Sequence, residues 1–144
     1  MAGASKQPAD VGGDHAAYWA CTVLACATSR PASVDVVQRQ LEAFNAQNLD
    51  AFAATYADDV LITRGPEKKP FVQGKQELRD VYGKMFAKYP NCRARLAERK
   101  TEGEKVVLDH EIITGRGPER PDPWDIGFVR YVVENGKIKA VELP

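Results

Sequence analysis

The chain has 144 residues, of which 44% are hydrophobic and 28% charged, a composition typical of one folded globular domain. Lys plus Arg and Asp plus Glu number 20 each, and no run of five like charges occurs, which argues against a nucleic acid or an acidic membrane surface as partner. The three cysteines lack C-x-x-C spacing and only two histidines are present, so we predict no disulfide framework, no metal site and no cofactor.

Residues 1–32 are predicted to form an N-terminal extension before a domain over residues 33–144. The segment Ala16–Thr28 is nearly free of charge, too short to span a membrane, and of a length that suits the core of a signal peptide. Its "VLAC" string is similar to a bacterial lipoprotein box, which would make Cys26 the lipidated residue. The residues before it lack the net positive charge of a signal peptide. We therefore expect a cytoplasmic protein in which this segment is an extra helix or part of an extended start, and leave export or lipidation open.

Two amphipathic helices are predicted next. Ser33 is a candidate cap for the first, whose apolar positions recur at three- and four-residue spacing. Asn48 or Asp50 is a candidate cap for the second. The apolar string "DVLIT" then predicts a strand, closed by Gly65-Pro66 and followed by a loop. We interpret Asp58-Asp59 as a cap and turn pair between helix and strand, because adjacent side chains diverge on either element.

The third helix and the remaining strands have clear patterns. "GKQELRDVYGKMFAKYP" has apolar residues at helical spacing, and Gly83 within it indicates a close packing contact. Strands are predicted over Cys92–Thr101, Lys105–Thr114, Ile126–Glu134 and Lys137–Leu143, and Asn135-Gly136 favours a primed two-residue turn. This order predicts an α+β fold with three helices packed on a curved antiparallel sheet.

Residues 34–143 resemble the nuclear transport factor 2-like superfamily, which includes ketosteroid isomerases and SnoaL-like polyketide cyclases. The resemblance is carried by "VVQRQLEAFNAQNLDAFAATYADDVLI" and by the "xGKxxLRxxY" pattern over residues 73–82. The string "LDHEIITGRG" is similar to a stretch of the uncharacterised SnoaL-like branch. The resemblance implies a cone-shaped fold with an apolar pocket open at one end, and a homodimer that associates through the sheet.

The resemblance also locates two candidate ligand-binding residues. Arg64 occupies the position of the general-base aspartate of ketosteroid isomerases, and Gln40 that of the oxyanion-hole tyrosine. Because arginine stays protonated, ketosteroid isomerase activity is not expected. Arg64 is either an anion-binding residue of the pocket or an exposed arginine at the end of a strand. The aromatic candidates, which core packing also explains, are Tyr56, Tyr82, Trp124 and Tyr131.

The string "DHE" supplies the candidate catalytic residues. On a strand, Asp109 and Glu111 share one face and His110 occupies the other. If the acidic face lines the pocket, a carboxyl whose pKa is raised there can act as general acid or base. If His110 lines it, the imidazole is the better proton carrier. In the third interpretation these residues only bond a neighbouring strand or a dimer partner.

The sequence thus predicts a protein that binds a small apolar metabolite, as a cofactor-independent isomerase, cyclase or hydratase. The alternative is a non-catalytic dimeric binding or scaffold module of the same fold. Pocket volume separates the two, because ligand sites begin at about 300 Å³. Neither a nucleic-acid partner nor a membrane span is expected.

Overall fold

Three helices lie along the part of the chain that the structure, a computed structural model, describes, residues 30–144. Helix α1 spans Ala32–Ala46, α2 spans Leu49–Ala54 and α3 spans Lys75–Lys88. The predictions for Ala16–Thr28, lipidation at Cys26 among them, fall outside the described residues. None of the helices formed by residues 30–144 has the length and apolar character needed to cross a membrane.

The two helix caps predicted from the sequence have different outcomes. Asn48 caps α2, and its side chain accepts a 3.1 Å hydrogen bond from the backbone N–H of Ala51. Ser33 does not cap α1, contrary to our prediction. The helix already begins at Ala32, so Ser33 lies in its first turn, where the buried Oγ has no hydrogen-bond partner.

Helix α3 packs closely on α2 at Gly83. A Cβ atom at this position would lie 3.2 Å from Cδ2 of Leu49, tighter than ordinary van der Waals contact. The close contact predicted from this glycine is therefore confirmed, and it is made with α2. Leu78 and Phe86 of α3 are buried in the core.

The helices pack on one six-stranded sheet. Its strands are β1 Tyr56–Arg64, β2 Lys69–Gln73, β3 Arg93–Glu102, β4 Val106–Thr114, β5 Trp124–Glu134 and β6 Lys137–Leu143. They are arranged in the order β2-β1-β6-β5-β4-β3, and all neighbours are antiparallel except β1 and β6, which run parallel. The predicted α+β fold is confirmed, with the correction that the sheet is mixed at this one pair.

Strand β2 was predicted to be a loop. It pairs with β1 and forms one edge of the sheet, and it includes Pro70. Proline has no backbone N–H to donate to a neighbouring strand, so its presence argues against a strand when the sequence is read alone. An edge strand nevertheless tolerates it, because one of its sides has no neighbour. The interpretation of this segment as a loop was wrong for that reason.

Asp58 and Asp59 lie inside β1 and do not cap a helix, which corrects our interpretation of the pair. The pairing of β1 with β6 is irregular between Tyr56 and Leu61, and both acids are exposed there. Asp58 lies 3.4 Å from Nζ of Lys75, and Asp59 lies 3.2 Å from Nζ of Lys139. The two carboxylates thus have different partners and do not converge.

The turn between β5 and β6 is the predicted primed turn. Asn135 and Gly136 have φ angles of 52° and 74°, and the turn is closed by the pair Glu134 and Lys137. Positive φ at both central residues is the requirement of a type I′ turn. The core lies between the helices and the inner face of the sheet, and its fully buried members include Val37, Phe52, Ile62, Val107, Val129 and Ile138.

Candidate functional site

A cavity of about 420 Å³ opens between the helices and the inner face of the sheet. Helices α1 and α3 supply one wall, and all six strands contribute residues to the other. Most of the surface is apolar or aromatic, as in sites that enclose a small molecule. Apolar lining residues include Leu41, Phe44, Phe71, Val81, Met85 and Ile126.

Strand β4 presents its acidic face to the interior of the protein. Burial alternates along the strand, and Asp109 and Glu111 are among the buried residues. His110 lies on the outer face, where its Nε2 is 2.8 Å from Oδ1 of Asp125 and its ring is 5.1 Å from that of Phe128. Glu111 therefore lines the cavity, whereas His110 does not. Within residues 30–144, no group of three or more His, Cys, Asp or Glu side chains is arranged to hold a metal ion.

Glu111 is a buried carboxyl in a largely apolar setting. Only 7% of its surface is exposed, and Tyr131 donates a 2.7 Å hydrogen bond to its Oε2. Burial raises the pKa of Glu111 to about 7, and the charge of Asp109 adds to this, while Tyr131 and Arg99 oppose it. Near neutral pH both protonation states are populated, so this carboxyl can accept or donate a proton.

Asp109, the second acid of this face, is held in an ion pair. It is fully buried, and its two oxygens accept hydrogen bonds from Nε and Nη2 of Arg99 at 2.7 and 2.8 Å. The remaining Nη1 of Arg99 donates to Gln38 at 2.9 Å. Both oxygens of Asp109 are thus occupied, and it acts on the cavity through its charge. Arg99 was missed from the sequence because its position opposite Asp109 depends on the register of β3 and β4.

The deep end of the cavity is polar. Four buried residues form it, and we call them the buried polar end: Gln40, Tyr56, Glu111 and Tyr131. Burial raises the pKa of both tyrosine hydroxyls well above 10, so they stay protonated. The side chain of Gln40 interacts with Tyr56 and opposes the rise of its pKa, while the buried Oε1 of Gln40 has no hydrogen-bond partner among residues 30–144.

Tyr82 connects this end with the rest of the cavity. It lines the cavity from α3, is partly exposed, and packs its ring 4.8 Å from that of Phe52. Burial of its hydroxyl and the charge of Glu111 raise the pKa of Tyr82 to about 12, while Arg64 and Arg116 act in the opposite direction. The hydroxyl is therefore a neutral donor that experiences charges from both ends of the cavity.

Five cations surround the open end of the cavity. We call them the cationic rim: Arg64, Lys84, Lys88, Arg116 and Arg120. Arg64 is exposed at the end of β1 and lines the cavity as well, so both interpretations of this residue hold in part. Its guanidinium lies 3.9 Å above the ring of Phe71. Trp124, another predicted ligand-binding residue, lines the cavity with Arg120 5.0 Å above its ring.

Arg116 was not recognised from the sequence. Strict alternation along β4 would place residue 116 on the outer face with His110. Gly115 interrupts the alternation with a φ of +84°, in close contact with the backbone of Asn91 and Cys92, and Arg116 then lines the cavity. The glycine in "TGRG" was the available signal, because a glycine at the end of a strand often marks a turn or a close backbone approach.

Comparison with known proteins supports the fold. An uncharacterised cystatin-fold protein from Novosphingobium aromaticivorans superposes with a TM-score of 0.68 at 23% identity, covering 78% of this chain and 97% of its own. A proposed polyketide cyclase from Sinorhizobium meliloti has a TM-score of 0.65 at 19% identity, with coverages of 76% and 94%. A protein with a ketosteroid isomerase-like fold from Catenulispora acidiphila has a TM-score of 0.61 at 14% identity, with coverages of 74% and 82%.

At these identities the likeness shows the fold alone. No curated protein sequence matches this chain. A family model described as "SnoaL-like domain" matches residues 37–141, which include every strand except the last residues of β6 and all of the cavity's buried polar end. The fold is therefore the cone-shaped nuclear transport factor 2-like fold, and the chain belongs to the SnoaL-like domain family.

Proposed function

We propose that this protein binds a small apolar metabolite in the cavity and transfers a proton on it through Glu111, without a cofactor. The observation that supports this proposal is a buried carboxyl, with a pKa of about 7, at the deep end of a largely apolar cavity. Apolar surroundings that shift a carboxyl toward neutral pH are typical of catalytic acids and bases, which work best when their pKa lies near the working pH.

The proposed chemistry begins at a carbon next to a carbonyl group. Ionised Glu111 removes a proton from that carbon, so that the C–H bond breaks, an O–H bond forms on Glu111, and the electron pair moves to the carbonyl oxygen. A protonated tyrosine, Tyr56 or Tyr82, donates a hydrogen bond to the resulting enolate. Return of the proton to another carbon gives isomerisation. Attack of the enolate carbon on a second carbonyl of the same molecule gives cyclisation, and the alkoxide that forms takes the proton back from Glu111. In hydration, Glu111 would instead take the proton from a water that attacks a double bond conjugated to the carbonyl, and return it to the neighbouring carbon.

The volume of the cavity favours a bound metabolite over a module filled by its own side chains. About 420 Å³ lies above the lower limit of about 300 Å³ for small-molecule sites. A non-catalytic protein that only binds a ligand remains the competing function, and it has the same cavity. The two differ in whether Glu111 exchanges protons with the ligand.

We also propose that two copies associate through the outer face of the sheet, as the family resemblance implies. Phe128 and Leu61 are large apolar residues of strands β5 and β1 and are 38% and 40% exposed. Burial of such residues in a partner would be favourable. Sedimentation equilibrium of the wild type and of Phe128→Ser tests this, and a monomeric wild type would contradict it.

Hydrogen exchange tests the proton transfer. The protein is incubated in D₂O with a panel of 1,3-dicarbonyl compounds and β,γ-unsaturated ketones, and deuterium uptake at carbon is followed by mass spectrometry. We expect enzyme-dependent uptake with at least one compound, and a loss of about 100-fold or more in Glu111→Gln. Asp125→Asn is the matched control, because it alters a carboxyl that pairs with His110 outside the cavity.

Two results would contradict the proposal. Equal uptake in Glu111→Gln and wild type would assign the exchange to another group. Saturable binding of panel compounds with no enzyme-dependent uptake in wild type would identify a non-catalytic binding protein.

A further inference from the structure

We infer that the natural ligand is an amphipathic acid, an apolar body with one carboxylate, and that Arg116 and Arg64 bind this carboxylate at the open end of the cavity. This inference rests on the cavity of the proposed function and adds the chemical class of the substrate and its orientation.

The charges around the cavity are strongly asymmetric. The cationic rim has five positive side chains, and the acidic side chain among the lining residues is Glu111, which is buried. Within residues 30–144, Glu119 is an acid close to the rim, 3.8 Å from Lys88. A backbone hydrogen bond lowers its pKa and the charges of Lys88 and Arg116 add to this, but it pairs with neither Arg64 nor Arg116. Clefts lined by one sign of charge concentrate ligands of the opposite sign. A neutral apolar ligand would form no ion pair with these cations.

Arg116 has hydrogen-bond donors without acceptors. Its Nε is buried and has no hydrogen-bond partner, and its Nη1 contacts only Sδ of Met85, at 3.4 Å. Sulfur of a thioether is a weak acceptor. Within residues 30–144, no carboxylate lies within ion-pair distance of Arg116. The guanidinium of Arg116 thus lacks a direct carboxylate partner among residues 30–144, and a ligand carboxylate beside it would supply one.

Aromatic rings lie against Arg116 and Arg64, two of the three arginines of the cationic rim. The guanidinium of Arg116 lies 4.4 Å above the ring of Tyr89, and that of Arg64 lies 3.9 Å above the ring of Phe71. A cation above an aromatic ring is attracted to it, and the planar fork of a guanidinium can still match the two oxygens of a carboxylate. The rings thus restrict the positions of Arg116 and Arg64 before the ligand arrives.

The position of Glu111 determines which end of the ligand enters first. A ligand carboxylate at the buried polar end would lie beside Glu111, and the two acids would repel each other far from the rim. A carboxylate at the rim avoids this and leaves the apolar body to extend along Tyr82 toward Glu111. Glu111, Arg64 and Arg116 line the same cavity as Tyr82, so one elongated molecule inside it lies next to both the buried carboxyl and the rim.

A pair of probes with the same shape and different charge tests the inference. The dissociation constants of 4-phenylbenzoate and 4-phenylbenzamide are measured at pH 8 by isothermal titration calorimetry, with quenching of tryptophan fluorescence as a second signal. We expect wild type to bind the carboxylate at least about 10-fold more tightly than the amide. In Arg116→Gln this ratio should fall to about 3 or less while the affinity for the amide is preserved.

Two further variants make the result specific. Arg64→Gln should lower the same ratio and serves as the second variant if Arg116→Gln melts well below wild type. Arg95→Gln is the matched control, because it removes one positive charge from an exposed residue of β3 that does not line the cavity, and the ratio should stay as in wild type.

The inference is overturned if wild type binds the amide as tightly as the carboxylate, or if the preference survives in the Arg64→Gln/Arg116→Gln double variant. If the amide binds as tightly as the carboxylate and deuterium exchange is intact, the proposed function stands. Only the inference that the ligand carries a carboxylate is then rejected. If neither probe binds at millimolar concentration, both the ligand class and the metabolite cavity are rejected.

Discussion

Arg99 and Asp109 lie directly opposite each other on β3 and β4 and meet through two parallel hydrogen bonds, of 2.7 and 2.8 Å. The carboxylate is fully buried, while 15% of the arginine side chain is exposed. The pair fixes a negative charge two residues from Glu111, on the same face of β4. This charge contributes to the raised pKa of Glu111, and the guanidinium opposes it.

Removal of Arg99 should strongly destabilise the fold. Arg99→Met leaves the Asp109 carboxylate buried without a partner, and we expect a loss of about 3–5 kcal/mol in the free energy of unfolding. The double variant Arg99→Met/Asp109→Leu should recover most of this loss, because no charge is then left unpaired. Urea denaturation at pH 7 measures both. Lys100→Met, an exposed neighbour 3.8 Å from Glu98, is the control and should change stability by less than about 0.5 kcal/mol. Equal losses of unfolding free energy in Arg99→Met and Lys100→Met would contradict the prediction.

Glu111→Gln should stabilise the protein at alkaline pH. The pKa of Glu111 is raised from 4.5 to about 7 in the folded state, so folding favours its protonated form. This contribution is fully present below pH 4.5 and is lost as the pH rises through 7, which amounts to about 3 kcal/mol. Glutamine does not titrate and retains an oxygen that can accept from Tyr131. The stability of the variant relative to wild type should therefore increase by about 3 kcal/mol from pH 4.5 to 8. Denaturant titrations across this range check it, and a constant difference would show that Glu111 is ionised in the folded protein.

Tyr131→Phe should raise the pKa of Glu111 further. The Tyr131 hydroxyl donates to Glu111 and favours its ionised form, so its removal makes ionisation harder. We also expect a loss of about 1 kcal/mol in stability from the missing hydrogen bond. A pH titration of the ¹³C-labelled Glu111 carboxyl by NMR gives the pKa directly. Tyr82→Phe is the control, because Tyr82 lines the same cavity without bonding Glu111, and it should leave the midpoint unchanged. A lower midpoint in Tyr131→Phe would refute the assigned role of the hydroxyl.

Gly115→Ala should cost considerably more stability than Gly103→Ala. Both glycines have positive φ, +84° and +66°, so an alanine is strained by about 1–2 kcal/mol at either position. A Cβ at Gly115 would also collide with the backbone of Asn91, whereas a Cβ at Gly103 meets nothing within 4 Å. We expect Gly115→Ala to lose at least about 2 kcal/mol more than Gly103→Ala in thermal or urea unfolding. Similar losses would mean that the loop after β4 can move away from Asn91.

The fold could be predicted from the sequence where a local rule decided it. The apolar spacing of α3, the cap at Asn48 and the Asn135-Gly136 turn each depend on neighbouring residues, and each is confirmed. The face of β4 that lines the cavity could not be chosen, because both faces of "DHE" place a titratable group among apolar residues. Packing of the acidic face under the helices settles that choice in the folded protein.

The candidate site could be predicted only in part, for a related reason. Gln40, Tyr56, Tyr82, Arg64, Trp124, Tyr131 and Glu111 line one cavity, as the family resemblance and the alternation of β4 suggested. Arg99 and Arg116 were missed because the alternation of side chains along a strand does not determine their positions. The position of Arg99 depends on the register between β3 and β4, and that of Arg116 depends on the turn at Gly115.

The loop over residues 115–123 carries two of the rim cations and lies outside the hydrogen-bonded ladder, whereas Glu111 is held between two neighbouring strands. Two of the five rim cations and the buried carboxyl are thus built on separate parts of the chain. Gly115 is fixed by its contact with the backbone of Asn91, and the loop beyond it can vary while Glu111 keeps its place between β3 and β5. Evolution or design can therefore exchange these two cations at the opening without moving the buried carboxyl.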